Sequence, residues 1–411
     1  MKKEKVVLAF SGGLDTSFCV KYLSEEKGYE VHTAIANTGG FSPAELKVIE
    51  QKALALGAAS HVTLDIEQEY YEKSIKYMVF GNILRNGTYP ISVSSERIFQ
   101  AIAIIEYAKK IGADYVAHGS TGAGNDQVRF ETSIQALDPS IEILAPVREW
   151  DLHTRDEEIE YAESHGVPVA ATKAKPYSID DNLWGRAIEC GVLEDPWAAP
   201  PTDIYTMTVS PEEAPDTPTE VEVTFAGGVP CAIDGVEMSY LEIIEKMNEI
   251  AGANGFGRID MIENRMVGVK SRECYEAPGA LALIVAHRAL EDMCLEREVL
   301  RYKLHIEQDW ATQVYNGQWF SPLKHAMDQF IASTQICLDG TVRLKFYKGT
   351  CTVTGRKSDF SLYDYGLATY DAADTFNRDS AKGFIDLYGL STRVWAKNRR
   401  DHGKTDGEIV E

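Results

Sequence analysis

The first 170 residues alternate short apolar runs with longer polar stretches in which apolar residues recur at helical spacing. In residues 97–111, for example, Ile98, Ala101, Ile102 and Ile105 follow a 3.6-residue period. Alternation of strands and helices predicts a parallel sheet that is covered on both faces, with ligands bound outside the carboxyl ends of the strands. The predicted strands are 5–10, 30–36, 60–65, 115–118 and 142–146, and the predicted helices are 16–26, 43–56 and 97–111.

The pattern changes after residue 168, where prolines separate short extended runs. Strands are predicted at 220–225, 231–233, 341–346 and 351–356, and helices at 240–251 and 281–302, which together favour an α+β domain. A last helix is predicted at 374–388, with Asp374 as N-cap and Gly389 as its stop. Its apolar and aromatic residues pack either on a partner or on the same chain. The expected divisions are 1–168, 169–365 and 366–411.

Charge and composition narrow the classes of function. The 411 residues carry a formal net charge of −22, which disfavours association with the phosphate backbone of a nucleic acid. The seven cysteines are dispersed without a CxxC pair, as expected of reduced thiols in the cytoplasm. No apolar run is long enough to span a bilayer, and the apolar run near the start is too short for a signal peptide.

A glycine-containing loop directly follows the first predicted strand. Its two glycines allow a tight turn, and its N–H groups together with the following helix N-terminus suit one anion. The hydroxyl groups of Ser11, Thr16 and Ser17 add donors. The spacing is neither that of a Walker A loop nor that of a dinucleotide fingerprint, and a purely structural turn is the alternative. The residues are Ala9, Phe10, Ser11, Gly12, Gly13, Leu14, Asp15, Thr16 and Ser17.

A second glycine-rich loop, residues 118–131, follows the predicted strand 115–118 and is expected at the same edge of the sheet. Hydroxyl, amide, carboxylate and guanidinium groups within it suit a zwitterionic ligand such as an amino acid, whereas a solvated loop is the plain alternative. Three later stretches, 175–186, 257–265 and 269–278, mix charged and aromatic residues densely and indicate a polar pocket.

The first loop resembles the pyrophosphate-binding loop of the N-type ATP pyrophosphatases. Together with HGSTGAGNDQVRFE, APVREW, KPYSIDDNLWGR, GRIDMIENR and KSRECYEAP, it resembles the argininosuccinate synthase family over nearly the whole chain. The resemblance implies an α/β nucleotide-binding domain of the adenine nucleotide alpha hydrolase-like type, an α+β synthetase domain and a C-terminal oligomerisation helix. It also implies ligation of citrulline and aspartate through a citrullyl-AMP intermediate, with ATP as substrate, Mg²⁺ on its phosphates, and a homotetramer.

The resemblance further implies roles for individual residues. ATP is expected at residues 9–17, Ala36 and Gly119, and aspartate at Thr121, Asn125 and Asp126. Asp15 or Asp126 is expected to align the attacking amine or the metal, with no resident metal site and no covalent nucleophile. The residues expected at citrulline are Tyr89, Ser94, Asn125, Arg129, Ser178, Glu263 and Tyr275.

Three departures from the family pattern stand out. The family usually has Gly-Gln where this chain has Gly39 and Gly40, and a segment that often reads LGTALARP is PISVSSERI at residues 90–98. A serine common in the family is Ala187 here, which removes one expected hydrogen bond to citrulline, worth about 0.5–1.5 kcal/mol.

Two other functions are the alternatives to this interpretation. Another ATP pyrophosphatase, such as a tRNA-thiolating enzyme, a GMP synthetase or an asparagine synthetase, would require catalytic cysteines with a basic surface or an amidotransferase domain. A nucleotide-binding regulator without catalysis would not need an amino-acid pocket.

Overall fold

The computed structural model describes residues 3–122, 124–149, 160–161, 164 and 177–404. One compact unit spans Met1–Phe360 and another spans Ser361–Glu411. The predicted domain boundary at 168/169 lies outside the described residues, and the predicted domain limits stay predictions. A search of the described helices for one long and apolar enough to cross a membrane finds none.

The N-terminal part contains the predicted parallel sheet, which confirms the fold class. Its strand order is β3-β2-β1-β4-β5, and every neighbouring pair is parallel. The order reverses between β1 and β4, the place where open α/β sheets bind ligands. The strands are β1 (Lys5–Ala9), β2 (Glu30–Asn37), β3 (Ser60–Asp65), β4 (Tyr115–Ala117) and β5 (Glu142–Leu144).

Local sequence accounts for the ends of several helices around this sheet. The N-cap Ser42 and Glu45 form a capping box ahead of Pro43, and Gly112 ends a long helix in the left-handed conformation with φ of 62°. That long helix begins five residues before the predicted position 97, because residues 92–96 are buried although all but Val93 are polar. The helices are α1 (Leu14–Lys21), α2 (Pro43–Ala55), α3 (Glu67–Tyr70), α4 (Lys76–Phe80), α5 (Ser92–Ile111), α6 (Asp126–Leu137) and α7 (Pro146–Glu149), with π-helical turns at Tyr22–Glu26 and Tyr71–Ile75.

Two antiparallel sheets follow, one in the order β10-β9-β8-β13-β14 and one in the order β11-β12-β7-β6. The first contains all four predicted strands of the second half. The second is made from the three polar and aromatic stretches, which the sequence analysis did not assign to strands. The strands are β6 (Ser178–Asn182), β7 (Gly185–Glu189), β8 (Thr219–Ala226), β9 (Val229–Ile233), β10 (Val236–Glu237), β11 (Arg258–Asn264), β12 (Lys270–Glu276), β13 (Gly340–Tyr347) and β14 (Thr350–Lys357).

The predicted helix 281–302 is wrong, because two helices occupy this region. Leu295 is extended, with φ of −92° and ψ of 142°, and the carboxylate of Glu296 then accepts bonds from the first N–H groups of a new helix. Apolar residues follow a helical period on both sides of Leu295, so the sequence pattern predicted one continuous helix. The helices are α8 (Tyr240–Ala253), α9 (Pro278–Cys294), α10 (Arg297–Tyr315) and α11 (Pro322–Ser333), with 3₁₀ turns at Gly191–Glu194 and Thr202–Ile204.

In the unit Ser361–Glu411 the predicted stop at Gly389 is confirmed, but the predicted N-cap Asp374 is wrong. Asn377 caps the helix instead, since its side chain accepts from the N–H groups of Asp379 and Ser380. Asp374 instead forms an ion pair with Arg378 inside the first turn. The helices of this unit are α12 (Tyr365–Ala368), α13 (Arg378–Tyr388) and α14 (Leu390–Asp401).

Candidate functional site

The two glycine-containing loops lie side by side at one edge of the parallel sheet. They follow β1 and β4, which are adjacent parallel strands. A β-carbon at Gly119 would lie 3.0 Å from Thr16 Cγ2 and 3.6 Å from the carbonyl carbon of Asp15. The prediction that both loops emerge at the same edge is therefore confirmed, and Gly119 is where the second loop approaches the first.

The first loop is shaped as an anion cradle. Gly12 has φ of 79°, a conformation that favours glycine, and Gly13 is the N-cap of α1. The hydroxyl of Ser11 lies 3.3 Å from that of Thr16 and accepts a bond from the N–H of Gly13. Both hydroxyls lie beside the N–H groups at the start of α1, which is the geometry that binds phosphate.

Ser17 differs from the other hydroxyl residues of this loop. It is fully buried, and its hydroxyl donates to the carbonyl oxygen of Gly13 over 2.6 Å. Its side chain thus stabilises the first turn of α1 in this structure. Phe10, at the start of the loop, is also buried, and its N–H donates to Ala34 on β2.

Lys52 of α2 adds a positive charge to the first loop, which the sequence analysis did not identify. Its Nζ donates to the carbonyl oxygen of Gly12 over 2.6 Å. Burial lowers the pKa of this lysine. An ammonium group held against the loop favours a phosphate ligand.

Ala36 is buried on β2, and the chain just beyond it contacts the turn between β6 and β7. The carbonyl oxygen of Thr38 accepts from the N–H of Leu183 over 2.9 Å. A β-carbon at Gly40 would lie 1.8 Å from the carbonyl oxygen of Asp181, a collision that excludes any side chain. The departure from the family pattern at Gly40 therefore allows a close backbone contact between the two sheets.

One face of the β11-β12-β7-β6 sheet collects polar residues. In this register Tyr275 lies opposite Ala187, and Ala187 lies opposite Asp180. Glu263 and Ser178, two residues expected at citrulline, project from the same face by strand alternation. Ser178 is exposed.

A hydrogen-bonded cluster joins this face to α6 and α10, and Tyr315 lies at its centre. The Tyr315 hydroxyl accepts from Asn125 Nδ2 over 3.0 Å and donates to Glu263 Oε2 over 2.8 Å. The Tyr275 hydroxyl lies between two carboxylates, 2.9 Å from Glu263 Oε1 and 2.6 Å from Glu273 Oε2, and the ring of Tyr275 stacks on Tyr89 at 4.1 Å. Four of these residues, Tyr89, Asn125, Glu263 and Tyr275, were expected together at citrulline, whereas Tyr315 was not predicted.

Arg129 and Ser94 lie in the same cluster. Arg129 Nε donates to the carbonyl oxygen of Tyr315 over 3.0 Å, and its Nη1 is engaged by a carboxylate of this chain, that of Asp126. Burial and Glu263 raise the pKa of Tyr89, whereas a hydrogen bond from Ser94 opposes that increase. Ser94 is itself buried.

Asp126, at the start of α6, is held by two arginines. Its Oδ2 accepts from Arg97 Nε over 2.9 Å, and its Oδ1 accepts from Arg129 Nη1 over 2.9 Å. Burial alone would raise the pKa of Asp126, but Arg97 and Arg129 outweigh it and hold this pKa below its usual value. Arg97 also forms an ion pair with Asp180 of β6.

Thr121 and Asp15 lie outside the hydrogen-bonded cluster around Tyr315, and neither contacts the two arginines that hold Asp126 in this structure. Thr121 is exposed in the second loop, where its carbonyl oxygen accepts from the N–H of Gly124 over 3.3 Å. Asp15 lies in the first turn of α1, beside Gly119. The two acidic candidates for catalysis are therefore in different places. Asp15 lies at the anion cradle, and Asp126 lies at the amino-acid cluster, defined as Asn125, Arg129, Glu263, Tyr275, Tyr315 and the ring of Tyr89.

Comparison with known proteins agrees with this arrangement. Residues 5–168 match the family model of the arginosuccinate synthase N-terminal HUP domain, and residues 177–395 match that of the arginosuccinate synthase C-terminal domain. The chain belongs to the argininosuccinate synthase family.

Individual members of the argininosuccinate synthase family are similar over nearly their full length. The chain is 51% identical to the argininosuccinate synthase of Bacillus pumilus, over 96% of each chain. It is 49% identical to that of Chlorobium phaeobacteroides, over 97% of this chain and 99% of the relative, and 48% identical to that of Gloeobacter violaceus, over 97% and 100%.

Several residues of the site were not predicted from the sequence of this member of the argininosuccinate synthase family. Tyr315 could not be predicted from the sequence, because it ends a helix far along the chain and belongs to none of the motifs. Arg97 was noted only as part of an altered segment, and Glu96 beside it is buried. The Glu96 carboxylate accepts from Thr38 over 2.5 Å and from Asn182 over 3.1 Å, and burial raises the pKa of Glu96 to about 7.

Proposed function

We propose that the protein is an argininosuccinate synthase, which joins citrulline to aspartate and converts ATP to AMP and pyrophosphate. One observation carries this proposal. The loop between β4 and α6 begins against the anion cradle at Thr16 and ends in the amino-acid cluster at Asn125 and Tyr315. A nucleotide and two amino acids can thereby meet along one short segment.

The first step activates citrulline. Its ureido carbon is a poor electrophile because the nitrogen lone pairs delocalise into the carbonyl group. The ureido oxygen attacks the α-phosphorus of ATP, the bond to pyrophosphate breaks, and citrullyl-AMP forms. The N–H groups at the start of α1, together with Lys52 and the Ser11 and Thr16 hydroxyls, bind the departing pyrophosphate.

The second step forms the carbon–nitrogen bond. The aspartate amine attacks the activated carbon, a proton leaves the nitrogen, and AMP departs with the former ureido oxygen. Asp126 is ionised near neutral pH because its pKa is lowered, and Arg97 and Arg129 hold its position. We assign it the role of orienting the amine, with Thr121 and Asn125 at the aspartate carboxylates.

Mg²⁺ is proposed as an ion that arrives with ATP. The oxygen donors of Asp15, Ser11 and Thr16 at the cradle are of the type that Mg²⁺ prefers, and the ion usually keeps phosphate and water ligands as well. When bound, it neutralises charge on the pyrophosphate. Within the described residues, no group of three or more His, Cys, Asp or Glu side chains forms a cage for a resident metal ion.

We also propose a homotetramer that acts in the cytoplasm and has no nucleic-acid partner. The unit Ser361–Glu411 supports assembly, because Leu387 and Tyr388 on α13 are 76% and 79% exposed and Trp395 on α14 is 55% exposed. Apolar side chains so exposed favour contact with another chain. The net charge of −22 argues against a nucleic-acid partner.

Isotope transfer tests the proposed function. Citrulline labelled with ¹⁸O in the ureido group is incubated with ATP, Mg²⁺ and aspartate, and the AMP is examined by mass spectrometry. We expect one ¹⁸O in AMP and citrulline-dependent release of pyrophosphate. Unlabelled AMP would contradict attack by the ureido oxygen, and pyrophosphate release that ignores citrulline would favour another ATP pyrophosphatase. A regulator that binds nucleotide would release none.

A further inference from the structure

Arg85 lies next to the amino-acid cluster and has no role in the site described so far. It begins the turn that leads to Tyr89, where its N–H donates to the Tyr89 carbonyl over 2.7 Å. Its guanidinium group stacks on the ring of Tyr315, 3.3 Å from the centroid. Its side chain is only 13% exposed. Arg85 thus contacts two members of the cluster, Tyr89 through the backbone and Tyr315 through the side chain.

In the part of the chain that the structure describes, the guanidinium group of Arg85 forms no hydrogen bond, although little of its side chain is exposed. Its Nε is buried and, among the described residues, has no hydrogen-bond partner. The carboxylate nearest to it is Glu263, whose Oε2 is 3.9 Å from Nε, too far for a hydrogen bond. Buried polar groups are nearly always paired, so a buried Nε donor held in this way indicates a missing acceptor.

Two other arginines of this site do form side-chain hydrogen bonds. Arg129 donates to Tyr315 and Asp126, and Arg97 donates to Asp126. Stacking on a tyrosine does not explain the difference. Arg258 also stacks on a tyrosine ring, that of Tyr205 at 4.1 Å, yet its Nε and Nη2 both donate to Thr208.

Glu263 and Arg85 together form the complement of a zwitterion. Glu263 accepts a hydrogen bond from the Tyr315 hydroxyl and shares the Tyr275 hydroxyl with Glu273, so each of its oxygens keeps a lone pair for a further donor. An α-amino acid carries its ammonium group and its carboxylate on one carbon atom. The ammonium group can therefore contact Glu263 while the carboxylate contacts the neighbouring guanidinium group of Arg85.

We propose that Arg85 binds the α-carboxylate of citrulline while Glu263 accepts from its α-ammonium group. This assignment rests on the proposed function, because it takes citrulline as the occupant of the cluster. The α-carboxylate of citrulline then accepts charge-assisted hydrogen bonds from the guanidinium group of Arg85. Arg85 is then a residue that selects a free α-amino acid over a blocked one.

A comparison of two substrates in two enzymes tests this assignment. Citrulline is compared with citrullinamide, in which the carboxylate is replaced by a neutral amide of similar shape, in the unmodified protein and in Arg85→Gln. We expect the unmodified protein to prefer citrulline in kcat/KM by about 10- to 100-fold, as charge-assisted bonds of this kind allow. In Arg85→Gln that preference should fall below about threefold, with KM for ATP unchanged.

Arg258→Gln is the matched control, since it removes another arginine stacked on tyrosine. It should leave the preference for citrulline unchanged. If Arg85→Gln keeps the full preference, the assignment is wrong, although the proposed function survives. If the unmodified protein uses neither substrate, the proposed function is wrong. Should Arg85→Gln fail to fold, Arg85→Lys replaces it, and a preference reduced at least threefold supports the assignment whereas an unchanged one overturns it.

Discussion

Asp126 at the start of α6 accepts a hydrogen bond of 2.9 Å from Nε of Arg97 on α5. The two residues are 29 positions apart in the chain. Arg97 also forms an ion pair with Asp180 of the β11-β12-β7-β6 sheet. One guanidinium group therefore connects helices α5 and α6 to the polar face of that sheet.

The substitution Asp126→Asn should impair the use of aspartate and spare the use of ATP. It removes the negative charge from this pair while keeping the size of the side chain. We expect KM for aspartate to rise about 10-fold or more, the scale of a lost charged hydrogen bond. Citrulline-dependent exchange of labelled pyrophosphate into ATP should persist. Asp138→Asn, at the far end of α6, is the control, and full synthase activity in Asp126→Asn would refute its assigned role.

A side chain at Gly119 should disturb the phosphate loop. In Gly119→Ala the new methyl group would lie 3.0 Å from Thr16 Cγ2 and 3.4 Å from the Thr16 nitrogen, so Thr16, whose hydroxyl lines the cradle, must shift by a few tenths of an ångström. We expect KM for ATP to rise about tenfold, because misplacement near 1 Å can cost about 100-fold. Gly122→Ala in the same loop has contacts no closer than 4.0 Å and should behave normally. Equal ATP kinetics in both variants would contradict the proposed contact.

Restoring the family serine in Ala187→Ser should improve citrulline binding. Ala187 lies opposite Tyr275 on the polar face and is buried. One added hydrogen bond of about 0.5–1.5 kcal/mol predicts a KM for citrulline that is lower by about 2- to 10-fold. Ala232→Ser, a similarly buried alanine in the other antiparallel sheet, serves as control. An unchanged or higher KM would mean that this chain closes the site differently.

Glu273 should make the stability of the protein depend on pH. Burial, with help from Glu189, raises the pKa of Glu273 to about 7. The folded state then holds the proton more tightly than the unfolded state, whose pKa is about 4.3. The stabilisation from this group is complete below that value and is lost as the pH rises through about 7.

Thermal unfolding of the unmodified protein and of Glu273→Gln between pH 5 and 8.5 checks this expectation. The variant, which cannot ionise, should lose less stability over this range. Glu237→Gln, an exposed position on β10, should follow the unmodified protein. Parallel curves for all three proteins would show that Glu273 does not titrate in this window.

Charged residues on the apolar side of α13 should weaken assembly. Leu387→Asp combined with Tyr388→Asp replaces side chains that are mostly exposed within the chain, so folding of one chain should be little affected. We expect a smaller species by light scattering. Lys382→Glu on the same helix is the control, and an unchanged mass for the double variant would place the contact between chains elsewhere.

The sequence alone determined the parallel sheet and the two loops at its edge, because both depend on local signals. A run of apolar residues followed by glycines and hydroxyls, as in residues 5–17, specifies a strand, a turn and a helix start within a few residues. The stop at Gly389 and the capping box at Ser42 are local in the same way. Of the amino-acid site, Asn125, Arg129, Glu263 and Tyr275 were predicted through resemblance to a family, and the structure brings them into one cluster.

Tertiary structure alone decided what connects these residues. Tyr315 reaches Asn125 across 190 positions, and Asn182 reaches Glu96 across 86. Gly40 must lack a side chain only because a distant backbone, at Asp181, packs against it. The strands β6, β7, β11 and β12 carry polar residues on an inward face. They therefore lack the alternation of apolar and polar residues by which a strand with one buried apolar side is recognised in a sequence. Such contacts depend on which distant surfaces meet, and no short window of sequence contains that information.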